Sequence, residues 1–244
     1  AAYSVRQLSD KAILAMRIRR DSDDEERNIG WDANGDLDTT AISDFCDTAN
    51  GYVVEWADQS TNGNHADQAT DTSQPQIYNG TAVLTVNGKP ALFQGGLQSS
   101  TITPLAQPNT AFVVNKLDSL KGAVVLDGTT SGNRNLINYG GSPVQIGMYA
   151  GSTTVRNTAA DTTQRLITVL YDGANSEIFR DGTSITTGNP GTASSDGFSL
   201  GMVFNGTIDE CDNLQEFIFY NSDQDGAGNR TGIESDIMTY FSIT

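Results

Sequence analysis

Arg165-Leu-Ile-Thr-Val-Leu-Tyr-Asp-Gly173, continued by Ala-Asn-Ser-Glu-Ile-Phe-Arg-Asp-Gly182, is the stretch that decides the fold. In an extended segment Leu166, Thr168 and Leu170 share one face, and Ile167, Val169 and Tyr171 share the other. Both faces are largely apolar, which predicts a strand covered on both sides. Asp172-Gly173 and Asp181-Gly182 read as turns around a second strand at 177–180. A third strand is predicted over 197–203. A fourth is predicted over 214–220, where Gln215 and Glu216 interrupt a hydrophobic run. Strands separated by Asp-Gly turns are the rhythm of an antiparallel sheet in a sandwich.

The bulk composition agrees. At 244 residues one large β-sandwich over residues 1–244 is expected, rather than two domains. Thirty acidic against 14 basic residues give a net charge of -16. Phosphate binding needs a basic face, so the charge argues against nucleic acid and against an anionic membrane surface. No apolar run approaches the length of a membrane span. The chain starts at Ala1 with no Met and no signal-like segment, as a processed protein or a fragment of a longer one does. Cys46 and Cys211 allow a single disulfide, and their separation is not readable from sequence.

In chain order, Ser4 reads as the cap of a short helix over 4–8. Residues 12–20 alternate as a strand, followed by an acidic loop at 21–26. Asp38 is placed to cap a helix over 39–46, with Ile42, Phe45 and Cys46 as its buried stripe. Strands follow at 52–56, 76–78, 82–86, 91–93, 110–117, 123–126 and 146–150, with Asn87-Gly88 as a tight turn. A terminal helix over 230–242 turns Ile233, Ile237, Tyr240 and Phe241 inward. In the polar loop 58–65, Asp58 is expected to accept backbone N–H bonds. His65, the only histidine, supports neither a His-based zinc site nor a catalytic triad. Asp32-Ala-Asn-Gly-Asp-Leu-Asp38 spaces oxygens as calcium loops do, but its Gly is misplaced and no bidentate Glu follows. Asp223 and Asp225 are a second, weaker calcium candidate, and no cofactor is expected. Asn79, Asn205 and Asn229 begin N-x-Thr sequons.

The strand-and-turn block from Arg165 to Tyr220 resembles the back half of concanavalin A-like, laminin-G-like jelly rolls. Further motifs are Tyr3-Ser-Val-Arg-Gln-Leu8, Ile18-Arg-Arg-Asp-Ser-Asp-Asp24, Asn28-Ile-Gly-Trp31, Leu37-Asp-Thr-Thr-Ala41 and Trp56-Ala-Asp-Gln-Ser-Thr-Asn-Gly-Asn-His65. In this order they resemble the start of the catalytic domain of glycoside hydrolase family 54, the α-L-arabinofuranosidase B type. Asn87-Gly-Lys-Pro-Ala91, Val125-Leu-Asp-Gly-Thr129 and Asn138-Tyr-Gly140 continue the match. Together with Leu214-Gln-Glu-Phe-Ile-Phe-Tyr-Asn-Ser-Asp-Gln224, the same motifs are similar to uncharacterised modules of bacteriophages and bacterial surface proteins.

The family resemblance implies two catalytic carboxylates, about 5 Å apart in a retaining enzyme. Registered on it, the family's adjacent cysteine pair falls near Asn135-Leu136, its nucleophile near Tyr149 and its acid near Asn205. No acid occurs between Gly128 and Ala160. A slip of register brings Asp209 or Glu210 to the acid position but creates no carboxylate at the nucleophile. The family's partner for Cys46 falls near Gly51. Neither an amide nor an ordinary phenol replaces these groups, so no catalytic residue is assigned.

The expectation is an all-β, concanavalin A-like jelly-roll sandwich of two antiparallel sheets with two or three small peripheral helices. Its expected role is a non-catalytic carbohydrate-binding or structural surface module, extracellular and on a phage virion as a fibre, tail or capsid appendage. Its ligand site is expected at Asn138, Tyr139, Tyr149 and Asn205. The partners expected are a neutral glycan of a host surface and other virion proteins, with homo-oligomerisation open. A secreted arabinofuranosidase-type hydrolase and a purely structural virion subunit are the alternatives.

Overall fold

The Arg165–Tyr171 strand forms as its pattern requires, and every residue from Leu166 to Tyr171 is buried. The computed structural model describes residues 1–209 and 211–244. Arg165–Tyr171 pairs antiparallel with Asn109–Lys116, Ile167 opposite Val113, and Val113 in turn stands opposite Phe217 of Asn213–Tyr220. Glu177–Arg180 and Thr183–Thr187 extend this sheet at one edge. Ala2–Ser4 and Leu92–Phe93 extend it at the other.

A second antiparallel sheet runs through Glu26–Ile29, Met16–Arg20, Asn50–Trp56, Ala66–Asp67 and Leu97–Ser99. It continues through Ser199–Leu200, Ala123–Asp127, Leu136–Gly140, Gln145–Tyr149 and Val155–Ala159. Gln76–Asn79 pairs with Asn50–Trp56 and meets Phe93, which joins the sheets along one side. The fold is an all-β, jelly-roll-like sandwich with two α-helices, Thr39–Cys46 and Arg230–Phe241, among the described residues.

The core lies between the sheets. Tyr3 stacks on Phe217 with ring centroids 6.0 Å apart, and Phe198 sits 5.3 Å from Phe217 and 5.0 Å from Phe219. The Tyr171 hydroxyl donates to the Leu136 carbonyl at 2.9 Å, so the Ile167, Val169 and Tyr171 face looks across to the second sheet. The opposite face of the first sheet is covered by the terminal helix, which buries Ile237 and Phe241 and half-buries Ile233 and Tyr240. This second cover is why the central strand is apolar on both faces.

Local signals predict the helix at Thr39–Cys46 well: the Asp38 carboxylate accepts from the Ala41 N–H at 2.9 Å, and Ile42, Phe45 and Cys46 are buried. They mislead at 4–8. No helix forms there, because Ser4 lies in a strand opposite Glu216 and its hydroxyl donates to that carboxylate at 2.6 Å. A long-range ladder displaces a local cap. The strand predicted over 197–203 shortens to Ser199–Leu200. Gly201 beside it has φ +70°, and a Cβ there would stand 2.6 Å from the Gly95 carbonyl, so the chain turns at this point. Besides short pieces such as Ala2–Ser4 and Leu97–Ser99, the sequence reading misses the strands Leu136–Gly140, Val155–Ala159 and Thr183–Thr187. The last two lie toward the sheet edges and are rich in Thr and Asn, so they lack a clean apolar alternation.

Both cysteines are buried, and no disulfide joins Cys46 to Cys211. A Cβ built on Gly51 would lie 2.7 Å from the Cys46 sulfur, so position 51 does face Cys46. Among the described residues no helix is long and apolar enough to cross a membrane.

Candidate functional site

The Ala123–Asp127 strand ends on a carboxylate that is 0% exposed. Asp127 Oδ1 accepts from the Gly128 N–H at 2.8 Å and from Arg134 Nε at 2.8 Å. Its Oδ2 accepts from Arg134 Nη2 at 2.7 Å and from the Phe204 N–H at 3.1 Å. A carboxylate has about four lone-pair sites, and all are taken. Asp127 is therefore a strut for Arg134 and for the Phe204 loop.

The chain folds this way because the turn after Asp127 is tight. A Cβ at Gly128 would lie 2.0 Å from the Asn133 carbonyl, so only glycine fits. Thr130 and Asn133 bridge across the turn and return Arg134 beside Asp127. Asp196, also buried, accepts from the Thr129 N–H at 2.8 Å, from the Thr129 hydroxyl at 3.1 Å and from the Thr130 hydroxyl. Two buried carboxylates thus hold one turn.

Held by this fork, the Arg134 guanidinium lies 4.7 Å from the centroid of the Phe204 ring and 5.6 Å from that of Tyr149. Its side chain keeps 19% exposure. Both rings are within cation–π reach. Tyr149 stands opposite Leu136, and Asn138 opposite Gly147, on the outward face of the same two strands. The Asn138 side-chain oxygen accepts from Arg156 Nη2 at 3.2 Å. A Cβ at Gly147 would come within 3.1 Å of that oxygen, so the close approach depends on glycine. Asn205 is exposed beside Phe204, and its side chain accepts from the Thr207 N–H at 3.1 Å.

Of the residues predicted for the site, Tyr149 lies at the Arg134 cluster, Asn205 follows Phe204 in the chain, and Asn138 lies on the same outward face as Tyr149, two residues along from Leu136. Tyr139 goes elsewhere. Neighbouring residues of a strand point to opposite faces, so Tyr139 turns into the core, 6% exposed, where the Asn115 amide donates to its hydroxyl at 3.0 Å. Burial raises its phenol pKa well above the ordinary value, against the opposing hydrogen bond with Asn115. Asp127 and Arg134 were not foreseen. Their signal was an acid and a base flanking a Gly-rich turn, which means nothing until the hairpin brings them together. Asp209 is exposed; Glu210, the other acid weighed, lies outside the described residues.

The other candidate clusters are spent on structure. Asp58 accepts from the N–H groups of Ala2, Ser60 and Asn64 at 2.8, 2.9 and 3.1 Å, and His65 Nδ1 accepts from the Asp58 N–H. Asp32 accepts from the Asn34 and Asp36 N–H groups, and Asp38 caps its helix. Asp223 accepts from the Gly226 N–H, and Asp225 pairs with Arg230 at 2.6 Å. Among the described residues no group of three or more His, Cys, Asp and Glu side chains could hold a metal ion. Trp56, inside an apolar strand, is in the core.

The sandwich architecture has likenesses among solved structures. An α-L-arabinofuranosidase of glycoside hydrolase family 54, soaked with 4-nitrophenyl α-L-arabinofuranoside, superposes at a TM-score of 0.72 and 16% identity, over 96% of this chain and 61% of the other. An arabinofuranosidase complexed with arabinofuranosyl-α-1,2-xylobiose gives 0.70 and 17%, over 96% and 62%. Trypanosoma rangeli sialidase in complex with sialic acid gives 0.52 and 14%, over 76% and 31%. At these identities what is shared is the β-sandwich, and this chain spans about three fifths of the arabinofuranosidase chains it matches. No protein-family model and no curated protein matches the sequence.

Proposed function

We propose that the whole chain works as one β-sandwich domain that binds a neutral glycan without cleaving it. The binding surface is the Tyr149, Phe204 and Arg134 patch, with Asn138 and Asn205 at its margins and Tyr139 supporting it from the core. The observation that carries this reading is the state of Asp127. A retaining glycosidase needs two working carboxylates about 5 Å apart, and Asp127, the carboxylate that meets Arg134 and the Phe204 N–H, has every lone pair occupied. What remains is binding chemistry. Tyr149 and Phe204 offer faces for the apolar side of a sugar ring, Arg134 Nη1, which makes no hydrogen bond among the described residues, can donate to a hydroxyl, and an Asn amide both donates and accepts. The net charge of -16 disfavours sulfated or uronic ligands. The likeness to arabinofuranosidase and sialidase folds supports a carbohydrate ligand.

The setting we propose is extracellular, as a fibre, tail or capsid appendage of a phage particle among other virion proteins. Its support is the likeness of the sequence motifs to phage-encoded modules. A secreted arabinofuranosidase is the second reading, favoured by the superposition alone.

Two measurements test the function. Purified protein is expected to leave a chromogenic arabinofuranoside intact; turnover that Asp209→Asn abolishes establishes the enzyme instead. On a glycan array, Tyr149→Ala is expected to erase the signal while the melting temperature stays near wild type. Binding that survives this substitution, or that prefers sulfated polysaccharides, overturns the proposed patch.

A further inference from the structure

A groove of about 850 Å3 lies where the N-terminal strand, the 59–62 loop, the end of Asn213–Tyr220 and the terminal helix meet. None of its lining residues belongs to the Arg134 patch. Its size falls within the roughly 300–1,000 Å3 of small-ligand sites. Leu8, Ile218, Ile233 and Ile237 supply an apolar floor, and Tyr220 stands at its lip. Tyr220 is one of the exposed large hydrophobic residues, at 37%, and its ring is braced edge-on by Phe112 at 6.0 Å.

The rim is polar and uncommitted. The side chains of Thr61 and Asn221 and the Tyr220 hydroxyl have no hydrogen-bond partner among the described residues, while Asn62 donates only to Ser60. Thr61 sits at φ +68°, a region that β-branched residues rarely enter. The base of its loop is clamped by Asp58, so the strain is imposed rather than relaxed. Strained residues of this kind concentrate at ligand sites.

The occupant follows from what the groove denies. A peptide adding as a strand needs free backbone groups on the Ala2 edge. There the Ala2 N–H donates to Asp58 and the Ala2 carbonyl accepts from the Gln59 N–H, both at 2.8 Å. A charged ligand needs a field of one sign, yet Arg6 is paired with Glu216 and Asp236, and the groove lining carries both Lys11 and Asp236. We infer that this groove is a second binding site, for a segment of neutral linear oligosaccharide. One sugar ring stacks on Tyr220, and its hydroxyls are met by Thr61, Asn62 and Asn221.

The inference goes beyond the Tyr149 patch and is tested apart from it. Nitrogen-15-labelled protein is titrated with xylohexaose, mannohexaose and maltohexaose, with oligogalacturonate as the anionic comparison. At least one neutral hexasaccharide is expected to shift the amides of Ser60, Thr61, Asn62, Tyr220 and Asn221. Tyr220→Ala should weaken that response about tenfold, and Asn62→Ala, on the exposed loop, should weaken it while leaving the fold intact. Tyr149→Ala should leave it unchanged. Silence at these amides with all three neutral ligands, shifts confined to the Tyr149 patch, unchanged affinity in both groove variants, or preference for oligogalacturonate overturns the assignment.

Discussion

At the scale of single residues the molecule turns on buried carboxylates. Asp127 is enclosed, and its charge is tolerable because Arg134 meets it with a fork while two backbone N–H groups complete its shell. Removing one partner of such a pair leaves an uncompensated buried charge, which costs about 3–5 kcal/mol. Arg134→Ala is therefore expected to lower stability by about that amount in denaturant unfolding, and Arg134→Lys by less. A loss below about 1 kcal/mol in the Ala variant would show that water reaches Asp127. Glu216 repeats the pattern on the other sheet, where Ser4 and Arg6 enclose it.

At the scale of elements, the central strand and the first helix each carry a test. Leu166 and Ile167 point to opposite faces and both are buried. Leu166→Ala and Ile167→Ala should each cost about 2–5 kcal/mol. A negligible shift of the unfolding midpoint in both would refute the two-sided cover of this strand. The Thr39–Cys46 helix abuts Asn50–Trp56 so closely that position 51 faces the Cys46 sulfur. Gly51→Cys is expected to bridge to Cys46, adding about 2 kcal/mol for a loop this short. Burial pushes the Cys46 thiol up to about 11, so it is protonated at neutral pH and the oxidation is best run alkaline. Free-thiol counting checks the bridge; a variant whose Cys46 stays reduced rules out the alignment of the two positions.

At the scale of the whole molecule, the two sheets and the chain's first residues are tied through the loop that Asp58 organises. Burial alone would raise the Asp58 pKa, but hydrogen bonds from Ser60 and the Ala2 N–H outweigh it and the net shift is downward. A carboxylate lowered by folding contributes stability above its unfolded value of about 3.9, and that contribution disappears as pH falls through the lower, folded value. Asp58→Asn should thus unfold more easily than wild type at pH 7, and the gap should close in acid below about pH 4. A gap that persists unchanged into acid would show that the side chain's shape, not its charge, holds the loop.

The sequence by itself determined the sandwich, the capped helix and the turn-holding role of Asp58, because each rests on a local rule of period 2, period 3.6 or a side chain bonding its neighbours. It also marked Asn138, Tyr149 and Asn205 as segments of interest. Only the tertiary structure decided that Tyr139 faces the core and that Ser4 belongs to a strand, since both depend on which partner lies across a ladder. The Asp127–Arg134 pair and the Tyr220 groove are tertiary in the same sense. The pair exists because a glycine-dependent turn brings an acid and a base together and the distant Phe204 loop closes on the acid. The groove exists because four segments far apart in the chain converge. Contacts of that kind carry no period, so no pattern along the chain can announce them.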